Sequence, residues 1–123
     1  CNLAGARMAN ANLYKATLVG ADLTGARLTR ATLTSADLTG AILYKANLAG
    51  ADLSDANMSM VSGAWVFLHG ANLSEANLIN ANLPGANLTG ADVFEAILSG
   101  ANLKGACLDC LNFEFARGEP IFR

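Results

Sequence analysis

Side chains that readily do chemistry are scarce in this sequence. It has one histidine, His69, and three cysteines, Cys1, Cys107 and Cys110. Cys107 and Cys110 form a C-x-x-C pair, the kind of spacing that supplies half a zinc site, but a structural zinc takes four ligands. Only His69 and Cys1 remain to complete such a set. No metal and no cofactor are expected. An odd cysteine count argues against a disulfide framework, so two free thiols are expected at 107 and 110, with a strained local disulfide as the alternative. Ser59 and Ser62 lie near the histidine, and Asp52 and Asp55 are two neighbouring carboxylates. Catalysis needs a nucleophile, a base and an orienting group within mutual reach, whereas small polar residues of this kind recur along the whole chain. The glycines recur too, without the Lys-Ser or Lys-Thr that follows a phosphate-binding loop. The expectation is a protein that is not an enzyme.

These residues sit in a chain of 123 residues, one domain by length. The formal charge of −2 offers no bulk attraction to nucleic acid or to a membrane surface. The longest strongly apolar run is Ala64–Leu68, far short of the roughly 20 residues of a membrane helix. No segment reads as a signal peptide. The chain begins at Cys1 already inside a repeat, as a fragment or a processed form would.

That repeat has a period of five. Cut from Cys1, the chain reads CNLAG, ARMAN, ANLYK, ATLVG, ADLTG, ARLTR, and the beat holds to ARGEP at 116–120. Ala fills the first position in 20 of 24 pentads, Leu fills the third in 18, and ten of the twelve Gly fall at the fifth. An α-helix cannot use this pattern. A step of five advances about 140° past a full turn, so the Leu would wind round every side and leave no stripe to bury. A long straight strand fails as well, because its side chains alternate with period two. Within one pentad, however, Ala and Leu are two apart and share a side. A turn through the fourth, fifth and first positions then lets every Ala and Leu face inward, and Ser, Thr, Gly and Asn suit such a turn. The expectation is an all-β solenoid with stacked Leu on its axis, Ala in its corners and coils about 4.7–4.9 Å apart. Each interior Leu contributes roughly 1.5–3 kcal/mol, and the open ends need caps.

The motif A-(N/D)-L-x-G, present as ADLTG, ANLAG, ANLTG and ANLKG, resembles the pentapeptide-repeat family over at least residues 1–115. The resemblance implies a right-handed quadrilateral β-helix with four pentads per coil, the central Leu and preceding Ala inside and the other three positions outside. It implies about six coils, a rod on the order of 29 Å long. The β-helix would span 1–115, with a cap or tail at 116–123. The nearly pure Leu centre is most similar to cyanobacterial and plastid members with no assigned activity, which leaves cytoplasm and thylakoid lumen both open.

The stretch MSMVSGAWVFLHG, residues 58–70, lacks the motif and holds the only Trp and the only His. Met58, Gly63, Leu68 and Leu73 nevertheless stay five apart, so 61–70 is expected to remain in register with Val61 and Val66 in the Ala slots. The alternative is a bulged loop, which would shift later pentads by two faces. Gly63 removes a Leu from the interior, and an unfilled gap costs roughly 2–5 kcal/mol, so the two Val are expected to make up the volume. Trp65 and Phe67 then point outward beside one corner, as candidates for partner contact, because Trp is enriched in interface hot spots. Tyr44 and Phe94 are expected on other faces, so that no single large patch forms. In the same register His69 lies two coils from Cys107, roughly 9–10 Å, too far to share a metal. Cys1 occupies an Ala slot as a small buried filler, and Cys107 and Cys110 point outward.

Assigning pentads to four faces in rotation gathers Asp52, Asp55, Glu75, Asp92, Glu95 and Glu114 on the third face, six of the ten acids. The second face begins with Arg7, Arg27 and Arg30. The acidic stripe is a candidate docking surface. Some members of the family are thought to imitate the shape and charge of DNA and to bind type II topoisomerases such as gyrase, giving quinolone resistance, and the resemblance implies that activity as an alternative. This chain departs from those members, which often carry Phe at the third position and are more acidic; here Phe113 is the one such Phe. They dimerise through a hydrophobic C-terminal end, and the tail LNFEFARGEPIFR offers Phe113, Phe115, Ile121 and Phe122 as candidate cap or dimer contacts. Gly118 replaces a Leu, Pro120 is expected to stop pairing, and Ile121 and Phe122 to fold back over Phe113 and Phe115. Capping within a monomer, by an end-to-end second copy, or by further chain all stay open. The reading is a non-enzymatic solenoid that presents a rigid surface to a protein partner, with no direct nucleic-acid or membrane binding. The alternatives are a DNA-mimicking gyrase binder and a structural spacer of a longer protein.

Overall fold

The computed structural model describes residues 1–109 and 116–121. Its backbone is a ladder of parallel bridges in which each second-position residue pairs with the residue twenty further on. Asn2 pairs with Asp22, Asp22 with Ile42, Ile42 with Ser62, Ser62 with Asn82 and Asn82 with Asn102. Further columns start at Arg7, Asn12 and Thr17. Columns five residues apart with a twenty-residue step make a four-sided coil, one pentad to a side. The faces are numbered by these columns, the first face holding 1–5, 21–25, 41–45 and so on.

The backbone N–H groups of a pentad's second, third and fifth positions bond to the neighbouring coils, and that of the next first position closes the corner. Around Leu43, the Ile42 N–H donates to Ala21 of the preceding coil at 2.9 Å, while the Leu43 and Lys45 N–H groups donate to Ser62 and Ala64 of the following coil at 2.7 and 3.0 Å. The Ala46 N–H closes the corner by donating to the Leu43 carbonyl at 2.9 Å. Where Asn or Asp fills the second position, the fourth-position N–H, at the head of the turn, finds its side chain. Ala49 donates to Asn47 Oδ1 at 3.1 Å, Ser54 to Asp52 Oδ1 at 3.1 Å and Ser59 to Asn57 Oδ1 at 3.0 Å. This local bond is why Asn and Asp suit the second position, beyond their polarity.

The corners repeat one geometry. From Gly5 to Gly105 the fifth position has positive φ, 56° at Lys45 and 70° at Gly105, and eleven of these residues are not glycine. A positive φ at the third residue of a four-residue turn is the mark of a type II turn, which favours Gly there. The inward positions form one core of Ala and Leu from Leu18 to Leu103 with no buried polar side chain, while Leu3, Met8, Leu13 and Ala16 of the first coil are only partly covered.

Residues 61–70 continue the ladder. Ser62 bridges Ile42 and Asn82, Phe67 bridges Asn47 and Asn87, and Val61 and Val66 are fully buried. The space at Gly63 is filled chiefly from the next coil. A Cβ placed there would meet Leu83 Cδ2 at 2.7 Å, Val66 Cγ1 at 3.5 Å and Leu43 Cβ at 3.6 Å. The expectation that the two Val supply the volume is thus corrected in part: Val66 reaches the space, but Leu83 comes closest, since a flexible Leu side chain can lean into a vacated slot on its own face. Pro120 does not stop the pairing either. Arg117 pairs with Ile97 at the usual step, and Ile121 pairs with Asn102 at a step of nineteen. Pro120 has no N–H to give, but the Ile121 N–H donates to the Ala101 carbonyl at 2.6 Å and carries the ladder on. The expected roles of Phe113, Glu114, Phe115 and Phe122, and the orientation of Cys110, lie outside the described residues.

Candidate interaction surfaces

The bridge columns bring five of the six third-face acids onto one side, and the corners divide them into two kinds. Asp52 and Asp92 stand in the second-position column with Asn72 between them. Asp52 Oδ1 accepts from the Ser54 N–H and hydroxyl, and Asp92 Oδ1 accepts from the Phe94 N–H at 3.0 Å. Asp55, Glu75 and Glu95 occupy the fifth position of successive coils, each with positive φ, one coil spacing of about 4.8 Å apart along the backbone. Arg117 of the fourth face reaches Glu95 at 3.9 Å, the one ion pair among the described residues. Counting charges along the sequence treats all of these carboxylates alike, whereas the Asx bond to the turn separates two of them from the other three.

An apolar patch lies around the first face. Trp65 is 58% exposed and Phe67 42%. The Ile42–Ser62 bridge sets pentad 41–45 directly against 61–65, so Tyr44 shares the first face with Trp65. The expectation that Tyr44 stands on another face is therefore corrected; the two pentads are four apart, a full circuit of the coil. Ile42, Tyr44, Met60, Trp65 and Phe67 are all exposed; the first four lie on this face and its two corners, and Phe67 follows just past the corner on the second face. Phe94 is on the third face. The Trp65 indole lies over the bare backbone of Gly85, where a Cβ would fall 2.6 Å from Cε3. The Lys45 ammonium sits 5.3 Å from the Tyr44 ring centroid.

On the second face a groove of about 520 Å³ is lined by Asn10, Thr29, Arg30, Ala49, Gly50 and His69. These are fourth- and fifth-position residues of successive coils. The Phe67 ring meets the His69 ring edge-on, with centroids 6.4 Å apart and planes at 85°. Cys107 is exposed, and so is Cys1. The expected burial of Cys1 is corrected, because its Ala slot lies in a coil that is covered on one side only. Among the described residues no group of three or more His, Cys, Asp or Glu is placed to hold a metal ion, and no helix is long and apolar enough to cross a membrane.

The family model described as pentapeptide repeats matches residues 1–30, 21–59 and 68–105. The chain belongs to the pentapeptide repeat family. The unmatched residues 60–67 between those spans hold Gly63, Trp65 and Phe67, which depart from the motif. Among solved structures, this pentapeptide repeat protein is similar to HetL from the cyanobacterium Nostoc sp. strain PCC 7120, described as involved in heterocyst differentiation regulation. The identity is 37% and the TM-score 0.62, over 94% of this chain and 56% of HetL. It therefore spans little more than half the length of that relative. It also shares its fold with a trypsin-treated form of QnrB1, a plasmid-mediated fluoroquinolone resistance protein, at 20% identity and a TM-score of 0.79, over 96% of this chain and 67% of that one. Among curated proteins no significant sequence match is found.

Proposed function

We propose that this pentapeptide repeat protein, a right-handed helix of about six coils, is a rigid non-enzymatic scaffold that holds a protein partner against its side. The observation that carries this reading is the exposure of Ile42, Tyr44, Met60, Trp65 and Phe67 on consecutive coils. Apolar clusters of this kind mark interaction sites, and Trp and Tyr are over-represented among the residues that dominate binding. The backbone beneath them is bonded coil to coil, so little order has to be gained on association. HetL is described as involved in the regulation of heterocyst differentiation, a kind of role that a non-enzymatic scaffold could fill. The test is affinity capture from the native host with the wild type and a Trp65→Ala/Phe67→Ser variant whose circular dichroism is unchanged. A specific partner should fall by at least roughly tenfold in the variant, in line with hot-spot losses. Identical bound proteins in both would sink the reading.

A second reading rests on the fifth-position column of Asp55, Glu75 and Glu95, with Asp52 and Asp92 beside it; Glu114, assigned to the same face by its sequence position, lies outside the described residues. A line of outward carboxylates at constant spacing is what a DNA-mimicking binder of gyrase would offer, and QnrB1 shows that the fold is compatible with fluoroquinolone resistance. Its test is protection of gyrase supercoiling from a quinolone, with loss of protection in Asp55→Lys/Glu75→Lys/Glu95→Lys. Ile121, with Phe113, Phe115 and Phe122, is the proposed cap or end-to-end dimer contact. Light scattering of the wild type and Ile121→Asp separates monomer from dimer.

A further inference from the structure

The second face has an electrostatic character opposite to that of the third. Its bridge column runs Arg7, Arg27, Asn47, Phe67, and Arg30 stands at the corner beside Arg27. None of its outward positions between 6 and 70 is acidic. The one ion pair among the described residues involves Arg117 and Glu95, so no described carboxylate lies within 4 Å of the Arg7, Arg27 or Arg30 guanidinium. Beside these arginines runs the groove floored by Ala49 and Gly50. A Cβ at Gly50 would sit 3.4 Å from Arg30 Cγ, so the arginine stem lies along the floor where a larger residue would obstruct it. At the far end stand His69 and the Phe67 ring.

We propose that this groove binds a short acidic segment of the partner protein, laid along the rod with its carboxylates on Arg27 and Arg30 and an apolar side chain against Phe67. The proposal rests on the scaffold reading and supplies the chemistry of its partner. Arginine is suited to carboxylates because its planar fork donates two parallel N–H bonds. Among the described residues these guanidinia have no ion pair to break before they bind. The lining from Asn10 to His69 covers three coil steps, about 14 Å, the length of about four extended residues. A nucleic acid fits less well. Asp52 and Asp55 begin on the adjoining face within the third coil, and a long polyanion following the rod would meet them and the net charge of −2. A segment of about four residues ends by His69 in the fourth coil and does not reach Asp92 and Glu95, which a longer polyanion would go on to meet.

The experiment is fluorescence anisotropy at low salt with three labelled probes: a nonapeptide of Glu and Asp with one central Leu, the same peptide with Lys in place of the acids, and a single-stranded oligonucleotide of equal length. The acidic peptide should bind, and the lysine peptide should not. Affinity for the acidic peptide should fall at least tenfold in Arg27→Glu/Arg30→Glu, fall less in Arg30→Lys, and stay unchanged in Trp65→Ala. Absence of acidic-peptide binding, equal binding by the charge-reversed variant, or tighter binding of the oligonucleotide would each overturn the proposal. Should Arg27→Glu/Arg30→Glu fail to fold, Arg30→Gln provides the same comparison with a milder change. Loss of the groove result with Trp65-dependent capture intact removes this inference alone. Intact peptide binding with capture unchanged in Trp65→Ala removes the patch as the partner site.

Discussion

Leu83 occupies the space that a side chain at position 63 would need, its Cδ2 lying 2.7 Å from where a Cβ would sit. Restoring the repeat there is expected to harm the protein. Gly63→Leu should destabilise by about 1–3 kcal/mol through overpacking, and adding Leu83→Ala should recover most of the loss; urea denaturation of both variants checks this. A second residue-scale prediction concerns acid. The Thr24 hydroxyl donates to Asp22 Oδ1 at 2.7 Å and the Thr24 N–H at 3.0 Å, and together they hold that carboxyl below the usual range; Thr39 does the same for Asp37. A carboxylate with a lowered folded pKa contributes stability above its unfolded value, and that contribution is lost as pH falls through the folded value. Melting temperature should drop on acidification below the ordinary Asp range, and Asp22→Asn/Asp37→Asn should drop less over the same interval. The Ala and Leu slots were legible residue by residue, because their types recur at fixed spacing. The lean of Leu83 was not, because it is the same Leu as its neighbours and only its surroundings differ.

At the scale of the pentad, the corner imposes one backbone on many side chains. Gly fits the left-handed position, yet Arg30, Ser35, Lys45, Met60 and Trp65 adopt it too, with φ of 56–59°. The strain at such a residue is roughly 1–2 kcal/mol, and a glycine gives part of the relief back as unfolded-chain entropy. Ser35→Gly is therefore expected to stabilise the protein by about 0.5–1 kcal/mol, read as a rise in denaturation midpoint. Glycine at the fifth position made the turn visible in the sequence. What extended it to Trp65 was the count of five, since nothing about a tryptophan by itself announces positive φ. The Asx bond from the second position was also within reach, because Asn and Asp two residues before a turn N–H are a known local pairing. Reading those residues only as outward polar groups missed it.

For the whole molecule, stability is close to a sum of coil-to-coil contacts. Leu53 is fully buried and Leu13 only partly covered. Leu53→Ala should cost about 2–5 kcal/mol and Leu13→Ala clearly less, a difference that denaturation of the two variants resolves. The four-sided circuit was not derivable from period five alone and entered through the family resemblance. Once it is in place, the third-face acids group from the sequence alone. The same rotation puts Tyr44 and Trp65, twenty-one residues apart, on one face, and placing Tyr44 on another face missed the patch.

That circuit has a metric consequence. Twenty residues of sequence correspond to one division of about 4.8 Å along the axis, and five correspond to a quarter turn. The separation of two outward groups can therefore be read from the difference of their residue numbers. The molecule is a graduated gauge, on which a chemical group is moved by one division when residues twenty apart exchange places, while the backbone that carries the scale stays where it is.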